Sequence, residues 1–225
     1  RDLYRFFVSL RMTSYKISIM NLCDLVEILV EEGVLKSPQV IDAFLKIDRA
    51  DFVPASLMNE AYGNYPLPLG LGQTISQPYT VAFMMELLNP RIGQTILDVG
   101  SGSGWTTALL AHIVGQTGKV IGIELGGEVY EQGVKNISRY GFIEQGTVEM
   151  IRGNAADGNK EHAPFDRISA AASLQEIPLA WKKQLKIGGR IVAPVGFKIV
   201  AVDKKSEDNF EQRDYPGFSF VPFIS

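Results

Sequence analysis

The sequence is poor in the residues on which several classes of protein site depend. Its 225 residues include one cysteine, Cys23, and two histidines, His112 and His162. One cysteine can form neither an internal disulfide nor a multi-cysteine zinc site, so we expect a reducing compartment, the cytoplasm. Cys23 lies in an apolar helical pattern and is predicted to be core. We assign both histidines structural roles and predict no metal site, since His162 has no second ligand at suitable spacing.

Long apolar runs and an excess of either charge are also missing. No stretch approaches the roughly 18 consecutive apolar residues of a membrane span. The formal net charge is -3 and the two signs are interspersed, so no basic stripe is available for nucleic-acid phosphates or for an anionic membrane surface. We therefore expect a soluble single-domain monomer with neither a nucleic-acid nor a membrane partner.

A glycine-rich bend stands between an apolar strand pattern and an apolar helix pattern. The strand residues Thr95-Ile96-Leu97 lead into residues 98–104, Asp-Val-Gly-Ser-Gly-Ser-Gly, and a helix begins at about Trp105. Glycines allow a ligand to approach the backbone closely. The next predicted strand ends in a second carboxylate, Glu124, where the ribose hydroxyls of a nucleoside would find an acceptor. This glycine bend (98–104) predicts a site for a nucleoside-bearing cofactor.

Two cofactor classes compete for the glycine bend, dinucleotides and S-adenosylmethionine. The dinucleotide fingerprint needs a third glycine at the position of Trp105. Asp98 would also repel a pyrophosphate, whereas it attracts the cationic sulfonium and ammonium groups of S-adenosylmethionine. The charge pattern favours S-adenosylmethionine, and another nucleotide ligand stays open as the alternative.

Strand and helix patterns alternate through the middle of the chain. We predict strands at 94–99, 119–124, 147–152, 166–171 and 190–194, and helices at 79–88, 105–114, 127–140 and 179–185. Such alternation predicts an α/β fold with a doubly wound, mostly parallel sheet. Two closing strands, around 199–202 and 218–223, predict an antiparallel hairpin at the C-terminal edge of the sheet.

The segments around this core complete the expected organisation. Apolar periodicity predicts N-terminal helices at 21–32 and 38–47, with Ser37 as the cap of the second. The proline- and glycine-rich stretch 52–78 is typical of an extended, functional loop. We expect residues 1–20 to be a flexible or non-native extension and 21–225 to be one domain, with N-terminal helices and substrate loop (21–78), a cofactor-binding core (79–197) and an edge hairpin (198–225).

A hydroxyl-rich turn, Gln73-Thr74-Ile75-Ser76-Gln77-Pro78-Tyr79, lies upstream of the glycine bend. From the residues alone it could cap a helix or line a substrate pocket. With several further blocks, this hydroxyl turn (73–79) resembles the protein-L-isoaspartate (D-aspartate) O-methyltransferase family over nearly all of 22–223. Those blocks are Phe52-Val53-Pro54, Leu67-Pro68-Leu69-Gly70-Leu71-Gly72, 97–104, Ala163-Pro164-Phe165-Asp166, Gly188-Gly189-Arg190, Pro194-Val195-Gly196 and Phe220-Val221-Pro222.

The resemblance implies a class I S-adenosylmethionine-dependent methyltransferase fold, which is Rossmann-like, and Ser76 as the active-site residue. It also implies which residues contact the cofactor. They are Gln73, Thr74, Ile75 and Ser76 in a closing loop, Asp98, Val99, Gly100, Ser101, Gly102 and Ser103 in the glycine bend, Glu124 and Leu125 after the next strand, and Asn154 and Ala155 after the one that follows.

Two positions depart from the family pattern. Gly153-Asn154-Ala155 stands where the family has Gly-Asp-Gly, whose acidic residue approaches the adenine amine. Asn154 can accept a hydrogen bond without charge assistance, so we expect weaker cofactor binding. Asp157-Gly158 is a rival placement of that motif. Asn64 stands where many relatives have an acidic residue.

In the reaction that the resemblance implies, the free α-carboxylate of an L-isoaspartyl residue attacks the methyl group of S-adenosylmethionine. The products are a methyl ester and S-adenosylhomocysteine, and the ester then closes to a succinimide, which initiates repair of damaged proteins. A carboxylate with a reference pKa of about 4 is already ionised, so no general base is required. The expected partners are isoaspartyl peptides and proteins, held in a groove with walls at 61–71 and 172–178 and the C-terminal hairpin nearby.

Three other functions stay open at the level of sequence. A methyltransferase of the same fold could act on a small molecule or on RNA, but it would leave the hydroxyl turn without a special purpose. A noncatalytic cofactor-binding protein would be compatible with the Asn154 and Asn64 departures, because fold does not fix function. A dehydrogenase is the least favoured, for the reasons given for the glycine bend.

Overall fold

The computed structural model describes residues 20–70 and 72–224. Its helices are α1 (Leu22–Glu31), α2 (Pro38–Lys46), α3 (Pro78–Leu88), α4 (Trp105–Val114), α5 (Gly127–Ser138) and α6 (Leu179–Gln184), with 3₁₀ turns at Arg49–Phe52 and Ala55–Glu60. Its strands are β1 (Leu67–Gly70), β2 (Gln73–Ile75), β3 (Thr95–Val99), β4 (Lys119–Glu124), β5 (Val148–Arg152), β6 (Phe165–Ala170), β7 (Leu185–Val195), β8 (Lys198–Lys204) and β9 (Phe210–Pro216). Apart from Met20, the extension predicted for 1–20 lies outside the described residues, as does Leu71 of the predicted groove wall.

The main sheet has the strand order β5-β4-β3-β6-β7-β8-β9. The pairs from β5 through β7 are parallel, whereas β7–β8 and β8–β9 are antiparallel. The predicted doubly wound, mostly parallel sheet with an antiparallel C-terminal edge is therefore confirmed. The chain moves outward from β3 to β4 and β5 and then returns to the other side at β6. Such a reversal opens a crevice at the carboxyl ends of the strands, where ligands of open α/β sheets bind.

Apolar side chains on both faces of the sheet hold this arrangement together. Neighbouring strand residues point to opposite faces, and accordingly Ile96 and Leu97 belong to separate buried clusters. Helices α1 to α5 contribute to the cluster of Ile96. Trp181 of α6 packs in the cluster of Leu97. Both faces of the parallel strands are thus covered, as their near-continuous apolar sequences require.

The N-terminal helices are tied to the sheet layer by Glu86 of α3. Its Oε1 accepts hydrogen bonds of 2.8 Å from the backbone NH groups of Lys36 and Ser37, and Oε2 accepts one of 2.6 Å from the Ser37 hydroxyl. Ser37 precedes α2 as predicted, but its side chain makes no capping bond to that helix. The Ser37 hydroxyl donates to Glu86 instead, and this bond fixes the start of α2 against α3.

Two predictions about local structure are wrong. Cys23 is exposed, because it lies in the first turn of α1 while Leu25, Val26 and Leu29 form the buried side. The final strand is Phe210–Pro216, not 218–223. An edge strand is held by backbone hydrogen bonds and tolerates charged side chains. The polar sequence of β9 therefore has no apolar pattern from which a strand could be predicted.

Candidate active site

A cavity of about 680 Å³ opens at the carboxyl ends of β3 and β4. Its walls come from six parts of the chain that are distant in sequence. They are Pro66 and the hydroxyl turn with Thr80, the glycine bend, the end of β4, the segments around Ala155 and Ala172, and residues 219–224. The crevice expected from the strand order therefore coincides with this cavity.

The glycine bend has a backbone that only glycine adopts easily. Gly100, Gly102 and Gly104 have φ angles of 73°, 54° and 88°, a left-handed region that disfavours side chains. A Cβ at Gly102 would meet no atom closer than 3.8 Å, so this glycine exposes bare backbone to the cavity. A Cβ at Gly104 would lie 2.7 Å from Ile137. Gly104 thus allows close packing against α5, while Gly102 leaves space for a ligand.

Glu124 closes β4 and lines the cavity with its carboxylate held in place. Its Oε2 accepts a hydrogen bond of 2.9 Å from the backbone NH of Gly102. Its Oε1 accepts one of 3.0 Å from the NH of Gly126 and a longer one of 3.4 Å from Nε2 of Gln73. The side chain therefore connects the glycine bend to the hydroxyl turn.

Asp98 does not line the cavity; it directly precedes the lining residues Val99 and Gly100 and is completely buried. Its Oδ2 accepts a hydrogen bond from the Thr107 hydroxyl, and its Oδ1 has no partner in the described part of the chain. Burial raises the pKa of Asp98 to about 6, the Thr107 bond opposes the rise, and the negative charge of Glu124 adds to it. An unpaired, buried carboxylate oxygen in the glycine bend favours a cation nearby.

Ser76 lines the cavity just before the N-terminus of α3. The first turn of that helix is capped from a distance, because Asn64 Oδ1 accepts a hydrogen bond of 3.0 Å from the NH of Tyr79. The Asn64 carbonyl also accepts one of 2.9 Å from Nε2 of Gln77. Asn64, noted as a departure from the family pattern, thus fixes the start of the helix beside Ser76.

Asn154 does not line the cavity, although Gly153 and Ala155 on either side of it do. Its Oδ1 accepts a hydrogen bond of 2.8 Å from the NH of Ala156, which closes a local turn. The rival motif, Asp157-Gly158, also lies outside the lining. The geometry therefore favours 153–155 as the segment that faces a ligand.

The structure brings most of the predicted site residues to one cavity. Those that line it are Gln73, Thr74, Ser76, Val99, Gly100, Gly102, Glu124, Leu125 and Ala155. Those outside the lining are Ile75, Asp98, Ser101, Ser103 and Asn154. Ile75, Ser101 and Ser103 are buried in the supporting layer. The role of each residue in binding or catalysis stays a prediction.

The sequence predicts the C-terminal hairpin near the groove, but it does not predict that residues 219–224 form a wall of the cavity. The segment is fixed by hydrogen bonds of 2.8 Å from Ser173 NH to the Val221 carbonyl and of 2.9 Å from Phe223 NH to the Ser173 carbonyl. The Phe223 ring also contacts Trp181 edge to face. The block Phe220-Val221-Pro222 belongs to the family resemblance, but its apolar pattern predicts a strand of the hairpin and not a segment that lines the cavity.

Each of the two histidines lies beside one acidic side chain. Nε2 of His112 lies 2.7 Å from Oδ2 of Asp42, and Nε2 of His162 lies 3.2 Å from Oε2 of Glu149. Within residues 20–70 and 72–224, no group of three or more histidine, cysteine or acidic residues could hold a metal ion. None of the helices described there is long and apolar enough to cross a membrane.

The family model "Protein-L-isoaspartate(D-aspartate) O-methyltransferase (PCMT)" matches residues 20–225. The chain belongs to this family. A protein-L-isoaspartate O-methyltransferase of Methanopyrus kandleri is 39% identical over 204 residues, which cover 89% of each chain. Protein-L-isoaspartate O-methyltransferase 2 of Archaeoglobus fulgidus is 41% identical over 189 residues, which cover 83% of this chain and 85% of the relative.

Two solved structures of similar proteins share the fold of this chain. A structure titled protein-L-isoaspartate O-methyltransferase superposes with a TM-score of 0.80 at 27% identity, over 91% of this chain and 66% of the other. A putative family member from Plasmodium falciparum, solved in complex with S-adenosyl-L-homocysteine, gives a TM-score of 0.83 at 24% identity, over 91% of this chain and 99% of that one. The class I methyltransferase fold expected from the sequence is confirmed.

Proposed function

We propose that this protein is a protein-L-isoaspartate O-methyltransferase, which methylates the free α-carboxylate of L-isoaspartyl residues in damaged proteins and so initiates their repair. The observation that carries the proposal is that the hydroxyl turn and the glycine bend line the same cavity. One half of that cavity suits a cationic nucleoside ligand, and the other half suits an anion. Family membership and the names of the relatives support the same reaction.

The residues around the glycine bend fit S-adenosylmethionine. Gly102 leaves room for a close approach, and the unpaired Oδ1 of Asp98 supplies negative charge in the bend. Glu124 would accept from ribose hydroxyls, and Gly153 and Ala155 would face the base. When bound, S-adenosylmethionine supplies an activated methyl group on a cationic sulfur. A cavity of about 680 Å³ lies in the size range of small-molecule sites.

The hydroxyl turn would orient the acceptor carboxylate. Ser76 stands two residues before an eleven-residue helix, whose N-terminus carries partial positive charge. Asp98 and Glu124 place negative charge at the glycine bend. This separation of charge would direct the anionic nucleophile toward Ser76 and the cationic donor toward the glycine bend.

Alignment and removal of water are then sufficient for the chemistry. A carboxylate with a reference pKa of about 4 is ionised at neutral pH, so no side chain has to remove a proton. The residues of this chain act by fixing the acceptor in line with the methyl group and by displacing the acceptor's water. Both histidines have structural partners, consistent with a reaction that needs no imidazole.

The peptide would enter between Pro66, Ala172 and the 219–224 wall. Pro66 and Ala172 belong to the two segments expected to flank a groove. The 219–224 wall adds the apolar side chains of Phe220, Val221 and Phe223. An extended peptide recognised by main-chain contacts would allow many flanking sequences. A monomeric state, a cytoplasmic location and the lack of nucleic-acid partners stay predictions.

Methyl transfer from isotopically labelled S-adenosylmethionine to a matched peptide pair tests the proposal. One peptide contains L-isoaspartate and its control contains aspartate at the same position. We expect base-labile label on the isoaspartyl peptide alone. Label on a small molecule or RNA, with none on the peptide, would replace the proposed substrate. Cofactor binding without transfer to any acceptor would indicate a noncatalytic protein.

A further inference from the structure

Arg49 is a buried cation at the back of the proposed active site. Its side chain is completely inaccessible to solvent, although arginine is rarely buried without a carboxylate partner. Within the described part of the chain, no acidic residue forms an ion pair with it. Burial lowers the pKa of Arg49 to about 10, which still leaves the guanidinium protonated at neutral pH. Removing a charged guanidinium from water costs free energy, so its N–H groups require hydrogen-bond acceptors inside the protein.

Four backbone carbonyls provide that compensation. Nη1 of Arg49 donates hydrogen bonds of 2.6 Å to Ala61 and 3.3 Å to Gly63. Nη2 donates bonds of 3.1 Å to Tyr65 and 3.2 Å to Ser76. Three of the four acceptors are the carbonyls of every second residue in the 61–65 loop. The fourth is the carbonyl of the proposed catalytic serine. The fork of the guanidinium thus joins that loop to the hydroxyl turn.

The same guanidinium also contacts the helix that follows the glycine bend. The Cζ atom of Arg49 lies 5.4 Å from the centre of the Trp105 ring, within cation–π distance. Trp105 begins α4 directly after Gly104 of the glycine bend. Arg49 therefore contacts both the hydroxyl turn and the helix that follows the glycine bend, while it does not itself line the cavity.

We propose that Arg49 is a positioning residue for methyl transfer, because its guanidinium fixes Ser76 and the 61–65 loop relative to the helix that follows the glycine bend. The proposal rests on the proposed function. Its physical basis is that in-line transfer is sensitive to alignment, since a displacement of about 1 Å can lower a rate about 100-fold. A planar guanidinium can hold carbonyls on both of its terminal nitrogens, whereas an ammonium is a single point of attachment.

The test compares Arg49→Lys, which keeps the charge, with Arg49→Met, which keeps the length but not the charge. We expect both variants to lower kcat/KM for an isoaspartyl peptide at least about tenfold. We expect the dissociation constant of S-adenosylhomocysteine, measured by calorimetry, to stay within about twofold to threefold of the native value. A loss of general stability would weaken both properties together.

Phe52→Leu is the matched control. Phe52 lies in the same 3₁₀ turn, is as deeply buried as Arg49, and stacks on Tyr140 without bonding the four carbonyls. It should lower the unfolding temperature and leave kcat/KM within about twofold. Arg49→Gln, which retains two donors, is the second choice if Arg49→Met does not fold.

Three results would overturn the proposal. They are native kcat/KM in Arg49→Lys or Arg49→Met, an equal loss in Phe52→Leu, and failure of all Arg49 variants to fold when Phe52→Leu folds. The last result would assign Arg49 to folding alone. If the native protein itself transferred no methyl group to the isoaspartyl peptide, the proposed function would fail first, and the two failures would be distinguishable.

Discussion

Oγ1 of Thr107 lies 2.6 Å from Oδ2 of Asp98, and both side chains are completely buried. The hydroxyl donates its proton to the carboxylate and favours the ionised form. Burial acts more strongly in the opposite direction, so that the pKa of Asp98 rises to about 6. The acidic residue of the glycine bend therefore titrates close to neutrality, unlike an exposed aspartate.

This titration predicts an unusual pH dependence of stability. The folded state binds the Asp98 proton more tightly than the unfolded state, whose aspartate has a pKa of about 3.9. The contribution of Asp98 to the free energy of unfolding is therefore fully present below about pH 4 and is lost as the pH rises through about 6. Urea unfolding between these values should show this loss in the native protein.

Asp98→Asn is the matched variant for that measurement, because it keeps an oxygen that can accept from Thr107 and cannot titrate. We expect its stability relative to the native protein to increase with pH across this window, by at most about 3 kcal/mol. Parallel pH profiles for the two proteins would show that Asp98 has an ordinary pKa.

Ser76→Ala should lower turnover on the isoaspartyl peptide on the order of 10- to 100-fold. The change removes a hydroxyl from the anion side of the cavity and leaves the glycine bend intact, so calorimetry should find S-adenosylhomocysteine binding within about twofold of native. Ser206→Ala, in the exposed turn between β8 and β9, is the control and should have native activity. Full activity of Ser76→Ala would remove the serine from the mechanism.

Gly102→Val should abolish cofactor binding, because the new side chain would extend into the cavity at a residue whose φ is 54°. Gly146→Val is a close control. Gly146 has a φ of 75°, a Cβ there would meet no atom within 4 Å, and the residue lies outside the cavity. Both variants incur backbone strain, but only the first should lose binding in calorimetry. Equal loss in both would attribute the effect to strain and not to the cavity.

Glu86→Ala should destabilise the fold, since three hydrogen bonds from Lys36 and Ser37 would lose their acceptor. We expect the free energy of unfolding to decrease by about 2–4 kcal/mol in urea titrations. Glu131→Ala, an exposed glutamate of α5, should change it by less than about 0.5 kcal/mol. Similar values for the two variants would contradict the anchoring role of Glu86.

The parts of the site predicted well from the sequence are those that local chemistry dictates. The glycine bend is readable because glycine is the residue that most easily adopts the backbone angles at Gly100 and Gly102, and the strand before it is mostly apolar. Glu124 was placed correctly at the end of β4, since parallel strands end at one edge of the sheet. Sheet type likewise follows from the alternation of strand and helix patterns.

The parts that could not be predicted depend on long-range contacts. The sequence around Arg49 contains no sign that its side chain will meet carbonyls from Ala61 to Ser76, because those atoms converge only after folding. The 219–224 wall is apolar and resembles a strand, whereas its actual course is set by Ser173 and Trp181. Cys23 was misplaced because a helical pattern does not by itself specify which side faces solvent near the first turn.

The walls of the cavity come from both early and late parts of the chain. The hydroxyl turn precedes the first strand of the main sheet, and the 219–224 wall follows the last one. Neither half of the polypeptide, expressed as a separate fragment, would contain a complete enclosure for a ligand. Ligand binding by such a pair of fragments would therefore report on their reassembly.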